Sequence, residues 1–227
     1  MDALLLDYNG VIVDDEPLHY AAFREVLAAL GIALDAPAYC ADYLGLDDRA
    51  AFREAFRRAD RPLEGRTLRR LTADKAGRYA ELAARDLRLV PGVAGFVRAA
   101  AGTFAIAVVS GALRREIDAG LLQAGIADAV LAVVSTEEVH ATKPDPAGFL
   151  LGMQRLAARH GTGAWRAVAV EDSLPGLGAA RALGAGCAML TTSHQAGSLA
   201  RADAVWASFE GHSPDELVPL LKPVKVG

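Results

Sequence analysis

Ala3-Leu4-Leu5-Leu6-Asp7-Tyr8-Asn9-Gly10 is the stretch on which the fold turns. Three leucines run without a polar break into an aspartate, and a glycine follows three positions later. A short apolar run bounded by turn residues suits a strand covered on both faces. The pattern recurs at Phe104-Ala105-Ile106-Ala107-Val108-Val109, at residues 129–134, at Ala167-Val168-Ala169-Val170 and at residues 185–190. Helical spacing fills the intervals at 93–101, 113–124, 146–159 and 175–183, with Gly125 and Gly184 placed to end two of these helices. Alternating strand and helix predict an α/β fold, a Rossmann-like parallel sheet with helices on both sides.

One segment departs from the alternation. Between residues 16 and 87 no strand pattern appears, and apolar residues recur at helical spacing in Leu18-Ala22-Val26-Leu27-Leu30, Ala51-Phe52-Ala55-Phe56 and Leu68-Leu71-Lys75-Tyr79-Leu82. The predicted division is a Rossmann-like core of 1–15 and 88–227 and an inserted all-helical domain of 16–87, with Val90-Pro91-Gly92 marking the return to the sheet.

Composition narrows the function classes. The chain has 227 residues, 52% hydrophobic and 23% charged, enough for a sizeable core. Its 24 Lys and Arg against 28 Asp and Glu give a formal charge of −4, which attracts neither nucleic acid nor an anionic membrane. The two cysteines, Cys40 and Cys187, make no metal-ligand or disulfide spacing and read as packing residues in a reducing compartment. No basic, apolar leader opens the sequence and no run approaches membrane-span length, so a cytoplasmic protein is expected, a monomer or weak homodimer.

In an open parallel sheet, ligands bind beyond the carboxyl ends of the strands. The residues just past the predicted strands are Asp7-Tyr8-Asn9-Gly10, Ser110-Gly111-Ala112 and Glu171-Asp172-Ser173, and Thr142-Lys143-Pro144 lies in the loop after the third run. Acids beside a lysine and a hydroxyl are what a metal-bound phosphate site needs. Each has a plainer reading: Asp7 as a turn residue, Ser110 or the adjacent acids as helix caps, Lys143 as a solvated loop residue.

Together, Asp7-Tyr8-Asn9-Gly10-Val11-Ile12-Val13-Asp14, Ser110, Lys143-Pro144-Asp145 and Glu171-Asp172-Ser173 resemble the four ordered motifs of the haloacid dehalogenase superfamily. The helical insert resembles the cap of its beta-phosphoglucomutase and phosphoglycolate phosphatase branch. The resemblance spans residues 1–200. It implies a Mg²⁺-dependent hydrolase of a small phosphorylated metabolite, with Asp7 as nucleophile and an aspartyl phosphate as intermediate. Ser110 and the amides of Gly111 and Ala112 would hold phosphoryl oxygens, Lys143 would bridge Asp7 and phosphate, and Asp7, Asn9 (through its carbonyl), Glu171 and Asp172 would hold Mg²⁺.

Residue 9 departs from that pattern, because the family's phosphatases usually carry aspartate there as general acid and base. Asn9 can donate a hydrogen bond but cannot shuttle a proton, and such a loss typically costs roughly 10²- to 10⁴-fold in rate. Three consequences stay open: substrates with good leaving groups, a proton from elsewhere such as His19, or a site that binds more than it turns over. In the cap, Leu44-Gly45-Leu46-Asp47-Asp48-Arg49 resembles the loop that closes on substrate, with Arg49 as an anion partner; Lys75 and Tyr79, one turn apart, are expected at the same entrance. Asp14 and Asp15 are expected at the hinge, and His140, His160, His194 and His212 at the surface. A phosphosugar mutase, a metal-free dehalogenase and a non-catalytic phosphometabolite-binding protein are the competing readings.

Overall fold

The computed structural model describes residues 1–43, 46–194 and 196–226. The leucine run forms β1 (Asp2–Leu6), with Leu4, Leu5 and Leu6 fully buried, and β2 (Val13–Asp14) follows. Four helices come next: α1 (Glu16–Ala28), α2 (Ala36–Asp42), α3 (Asp48–Arg58) and α4 (Gly65–Asp86). After β3 (Arg88–Leu89) the alternation resumes with α5 (Val93–Ala100), β4 (Ala105–Val109), α6 (Arg114–Ala124), β5 (Ala132–Val134), α7 (Ala147–His160), β6 (Trp165–Glu171), α8 (Leu174–Leu183) and β7 (Gly186–Leu190). Two short strands, β8 (Ala204–Trp206) and β9 (Lys222–Val224), complete it. Among the described residues, no helix is long and apolar enough to cross a membrane.

The chain divides into two compact units, Met1–Asp14 with Leu89–Gly227, and Asp15–Arg88. In the first, the sheet order is β5-β4-β1-β6-β7-β8, all parallel. One strand differs from the all-parallel expectation: β9 runs antiparallel to β6, pairing Trp165 with Val224 and Ala167 with Lys222. The parallel partner β7 takes up β6 only from Val168 onward, so β9 occupies the portion of β6 that β7 leaves unpaired. A Cβ on Gly186 would lie 1.9 Å from the Leu220 carbonyl, so the residue that opens β7 has to be glycine for the chain to pass into β9.

Packing follows the apolar pattern. Phe149, Met153 and Leu156 of α7 bury against Leu5, Ala107 and Val109 of the sheet. Gly152 lets the helix come close, since a Cβ there would stand 3.0 Å from Val109. Each such side chain contributes roughly 1.5–3 kcal/mol by leaving water. Gly125 and Gly184 end α6 and α8 in the left-handed conformation, as predicted. The expected strand at 129–134 is shorter, because Ala129 closes a turn onto Ile126 and the run joins β4 only when the Leu131 amide reaches the Ile106 carbonyl.

The second unit holds its own core of Phe23, Leu27, Phe52, Phe56, Leu68 and Leu71. Its α2 was not legible as a helix. It begins at Asp35, whose side chain accepts from the Ala38 amide, with proline in the first turn. Cys187 is buried, but Cys40 on α2 is exposed and not a packing residue.

Candidate active site

The strands β1, β4 and β6 end side by side, which brings their terminal polar residues together. Asp7 follows β1 and is 8% exposed; its amide still bonds to the Val170 carbonyl, so the sheet fixes its backbone. Its Oδ1 accepts from the Tyr8 amide at 2.8 Å and lies 2.9 Å from Lys143 Nζ. Tyr8 is anchored in turn: its hydroxyl donates to the Glu116 carbonyl at 2.9 Å, over a Gly120 whose Cβ would collide with it.

Lys143 converges on three oxygens. Nζ is 2.9 Å from Asp7 Oδ1 and 2.6 Å from Glu171 Oε1, and it donates to the Val109 carbonyl at 3.0 Å. Burial works against its charge, but the Asp7 and Glu171 carboxylates outweigh burial and hold its pKa above the ordinary lysine value. The Lys143-Pro144 peptide is cis.

Glu171 ends β6 with no exposure and Asp172 follows at 5%. The carboxylates of Asp7, Glu171 and Asp172 offer oxygens that all lie within 4.8 Å of one another. Burial, then the neighbouring Asp7 charge, pushes the Glu171 carboxyl up to about 7 against the pull of Lys143. Asp172 is raised by burial and then by Asp7 and Glu171. Three buried acids against one lysine is an arrangement that a divalent cation relieves, and all-oxygen donors suit a hard ion of the Mg²⁺ type. The plainer reading of these acids as helix caps does not hold: the N-cap of α8 is Ser173, whose side chain accepts from the Gly176 amide.

Two glycines make room for the acids. A Cβ on Gly10 would stand 1.9 Å from Asp172 Oδ2, and one on Gly176 would stand 1.9 Å from the Glu171 carboxyl. Gly10 also has φ +69°, a conformation that glycine adopts without strain.

Ser110 follows β4 at 6% exposure, and its Oγ donates to Asn9 Oδ1 at 3.3 Å. It does not cap α6, whose N-cap is Leu113. The Ala112 amide, expected to face a phosphoryl oxygen, bonds to Ser110 Oγ at 3.2 Å instead.

The expected cap residues all lie in the Asp15–Arg88 unit. Leu44 and Gly45 fall outside the described residues, and Arg49 is exposed in the first turn of α3. Lys75 and Tyr79 do not line an opening, for each is only 2% exposed. Lys75 Nζ donates to Asp48 Oδ1 at 2.8 Å, meets His19 Nδ1 at 2.6 Å and lies over the Phe23 and Tyr79 rings. His19 Nε2 is 3.2 Å from Asp15 Oδ2, which also accepts from the Tyr79 hydroxyl at 2.5 Å. An Nε2–H toward Asp15 and an Nδ1 lone pair toward Lys75 fit these contacts. Both nitrogens of His19 are therefore committed within this unit, which removes it as a ready proton source. Of the remaining histidines, His140 and His160 are exposed. His212 is half-buried against Trp206, and His194 meets the Asp172 carbonyl.

Sequence reasoning passed over two hydroxyls in the loop after β7. Thr192 Oγ1 donates to the Gly10 carbonyl at 2.6 Å, and Ser193 Oγ donates to Asp172 Oδ2. Neither belongs to a recognisable motif, so only the tertiary fold reveals them.

The chain is similar to several known proteins. Protein CbbY of Rhodobacter capsulatus is 31% identical over 194 residues, covering 81% of this chain and 82% of that protein. Fructose-1-phosphate phosphatase YqaB of Escherichia coli is 31% identical over 186 residues, covering 80% and 92%. Among solved structures, CbbY from Rhodobacter sphaeroides in complex with phosphate has 25% identity and a TM-score of 0.77, covering 92% of this chain and 95% of that chain. An Asp-to-Asn mutant of that protein in complex with xylulose-1,5-bisphosphate has 26% identity and the same TM-score. A family model described as haloacid dehalogenase-like hydrolase matches residues 1–184, most of the chain, and the protein belongs to that family of enzymes.

Proposed function

We propose that this hydrolase removes phosphate from a small phosphorylated metabolite through a covalent phosphoryl group on Asp7, with Mg²⁺ as its cofactor. The observation that carries the reading is the fixed asymmetry of Asp7. Lys143 and the Tyr8 amide both engage Oδ1, while Oδ2 takes no hydrogen bond among the described residues and is the oxygen available for attack. Support for the substrate class comes from the relatives, one of them a fructose-1-phosphate phosphatase and another crystallised with phosphate.

In this reading Asp7 Oδ2 forms a bond to phosphorus as the bond from phosphorus to the metabolite oxygen breaks. Lys143 offsets the repulsion between the carboxylate and the phosphoryl oxygens and stabilises the charge on the latter during transfer. Water then attacks phosphorus and returns Asp7 as a carboxylate. Asp7, Glu171, Asp172 and the carbonyl of Asn9 would hold Mg²⁺, which when bound supplies charge neutralisation for an incoming phosphate. Ser110 and the Gly111 amide would contact the phosphoryl group.

Asn9 sets the limit on rate. Its Oδ1 accepts from Ser110, and a carboxamide has no proton to give away. Metabolites whose oxygen departs readily, such as acyl phosphates, are accordingly favoured over alkyl phosphates. The same deficit disfavours a phosphomutase, which needs proton transfer at two hydroxyls. The test is Mg²⁺-dependent release of phosphate from an aryl and an acyl phosphate, with this chain, Asn9→Asp and Asp7→Asn side by side. Turnover that disappears in Asp7→Asn supports the reading. Activity in Asn9→Asp alone favours a site that binds without turnover, and silence from all three overturns phosphatase action on such esters.

A further inference from the structure

We propose that Ser193 is a positioning residue that sets Asp172 for the divalent cation, the loop after β7 acting as a clamp on the acid cluster; this rests on the cation reading above. Asp172 ends no secondary structure of its own and sits among charges of its own sign, so something must hold its carboxylate in place. Its Oδ2 is confined from two directions, by the Gly10 backbone, where no Cβ would fit, and by the Ser193 hydroxyl, which donates to it. Oδ1 makes no hydrogen bond among the described residues and is the oxygen left for a ligand. The residue on each side of Ser193 strengthens the attachment: Thr192 Oγ1 holds the Gly10 carbonyl at 2.6 Å, and His194 Nδ1 meets the Asp172 carbonyl at 3.2 Å. Three consecutive residues thus tie the turn after the nucleophile to the acid after β6.

Groups that orient metal-binding carboxylates typically change metal affinity by about 10- to 100-fold when removed. The experiment is calorimetric titration of the whole chain with Mg²⁺ alone, on the unaltered protein, Ser193→Ala, Ser193→Thr and Asp172→Asn, with melting of each measured in chelator. The expected result is binding weakened about 10- to 100-fold in Ser193→Ala, restored in Ser193→Thr and abolished in Asp172→Asn, with metal-free melting unchanged in both Ser193 variants. Equal Mg²⁺ affinity in Ser193→Ala overturns the proposal, as does a loss in Ser193→Thr as large as in Ser193→Ala. A metal-free melting loss in Ser193→Ala that accounts for the weaker binding overturns it as well, since the role is then structural. Failure of the unaltered protein to bind Mg²⁺ overturns the cation reading itself, a separate and recognisable outcome.

Discussion

The two units each bury a lysine among acids, and they do so in opposite balance. In the helical unit Lys75 faces Asp48 and the lone pair of His19, while Asp15 is met by the Tyr79 hydroxyl and His19. Here the lysine and each acid have a polar partner, and Asp48 keeps a share of solvent. In the sheet unit Lys143 faces Asp7 and Glu171 with Asp172 beside them, three buried carboxylates to one ammonium. Buried charge that is matched serves the fold, whereas buried charge in excess costs stability and is retained where a ligand completes it.

The largest effect should come from the unbalanced cluster. Asp7→Asn is expected to bring Mg²⁺-dependent phosphate release down to background while leaving the melting temperature unchanged or higher, because it removes one of three repelling charges; a thermal scan beside the activity assay checks both. Asn9→Asp should raise turnover of an alkyl phosphate by roughly 10²- to 10⁴-fold and of an acyl phosphate much less, since only the first needs a proton donor. That ratio between substrates is the quantity to measure. The balanced cluster should behave in reverse: Lys75→Met leaves buried acceptors unmatched and should cost about 3 kcal/mol in denaturant unfolding. Saturating Mg²⁺ sharpens the contrast further. A concentration a hundred times the dissociation constant should add about 2.7 kcal/mol to the unaltered protein, the same to Lys75→Met and nothing to Asp172→Asn. The smallest effect is chemical: a thiol reagent should label exposed Cys40 in the folded protein and spare Cys187, whose thiol burial pushes up.

The same contrast explains what the sequence made legible. Core strands announce themselves because burial on both faces demands unbroken apolar runs, and the residue after each run is then known to face the ligand side. Asp7, Ser110, Glu171 and Asp172 were found by that rule, and the fold joins them to Lys143. The strand at Lys222-Pro223-Val224 has no such signature: three residues with a central proline form a strand only because β6 offers unpaired edge. In the helical unit, helical spacing located Lys75 and Tyr79 on a common face but not which way it turned, and burial of a lysine depends on partners 27 and 56 residues away. Ser193 and Thr192 escaped notice because a hydroxyl in a loop carries no pattern until its acceptor is known.

Gly10 and Gly176 contribute no side chain, yet the positions of two carboxylates depend on what these residues lack. In a mutational scan they should be as intolerant as Asp172 and Glu171 themselves. Even alanine, ordinarily the mildest replacement, would evict a carboxylate from its seat. Two of the three acids are thus seated by empty volume, and a substitution there would present as a failure of metal binding in a protein that retains every reactive side chain.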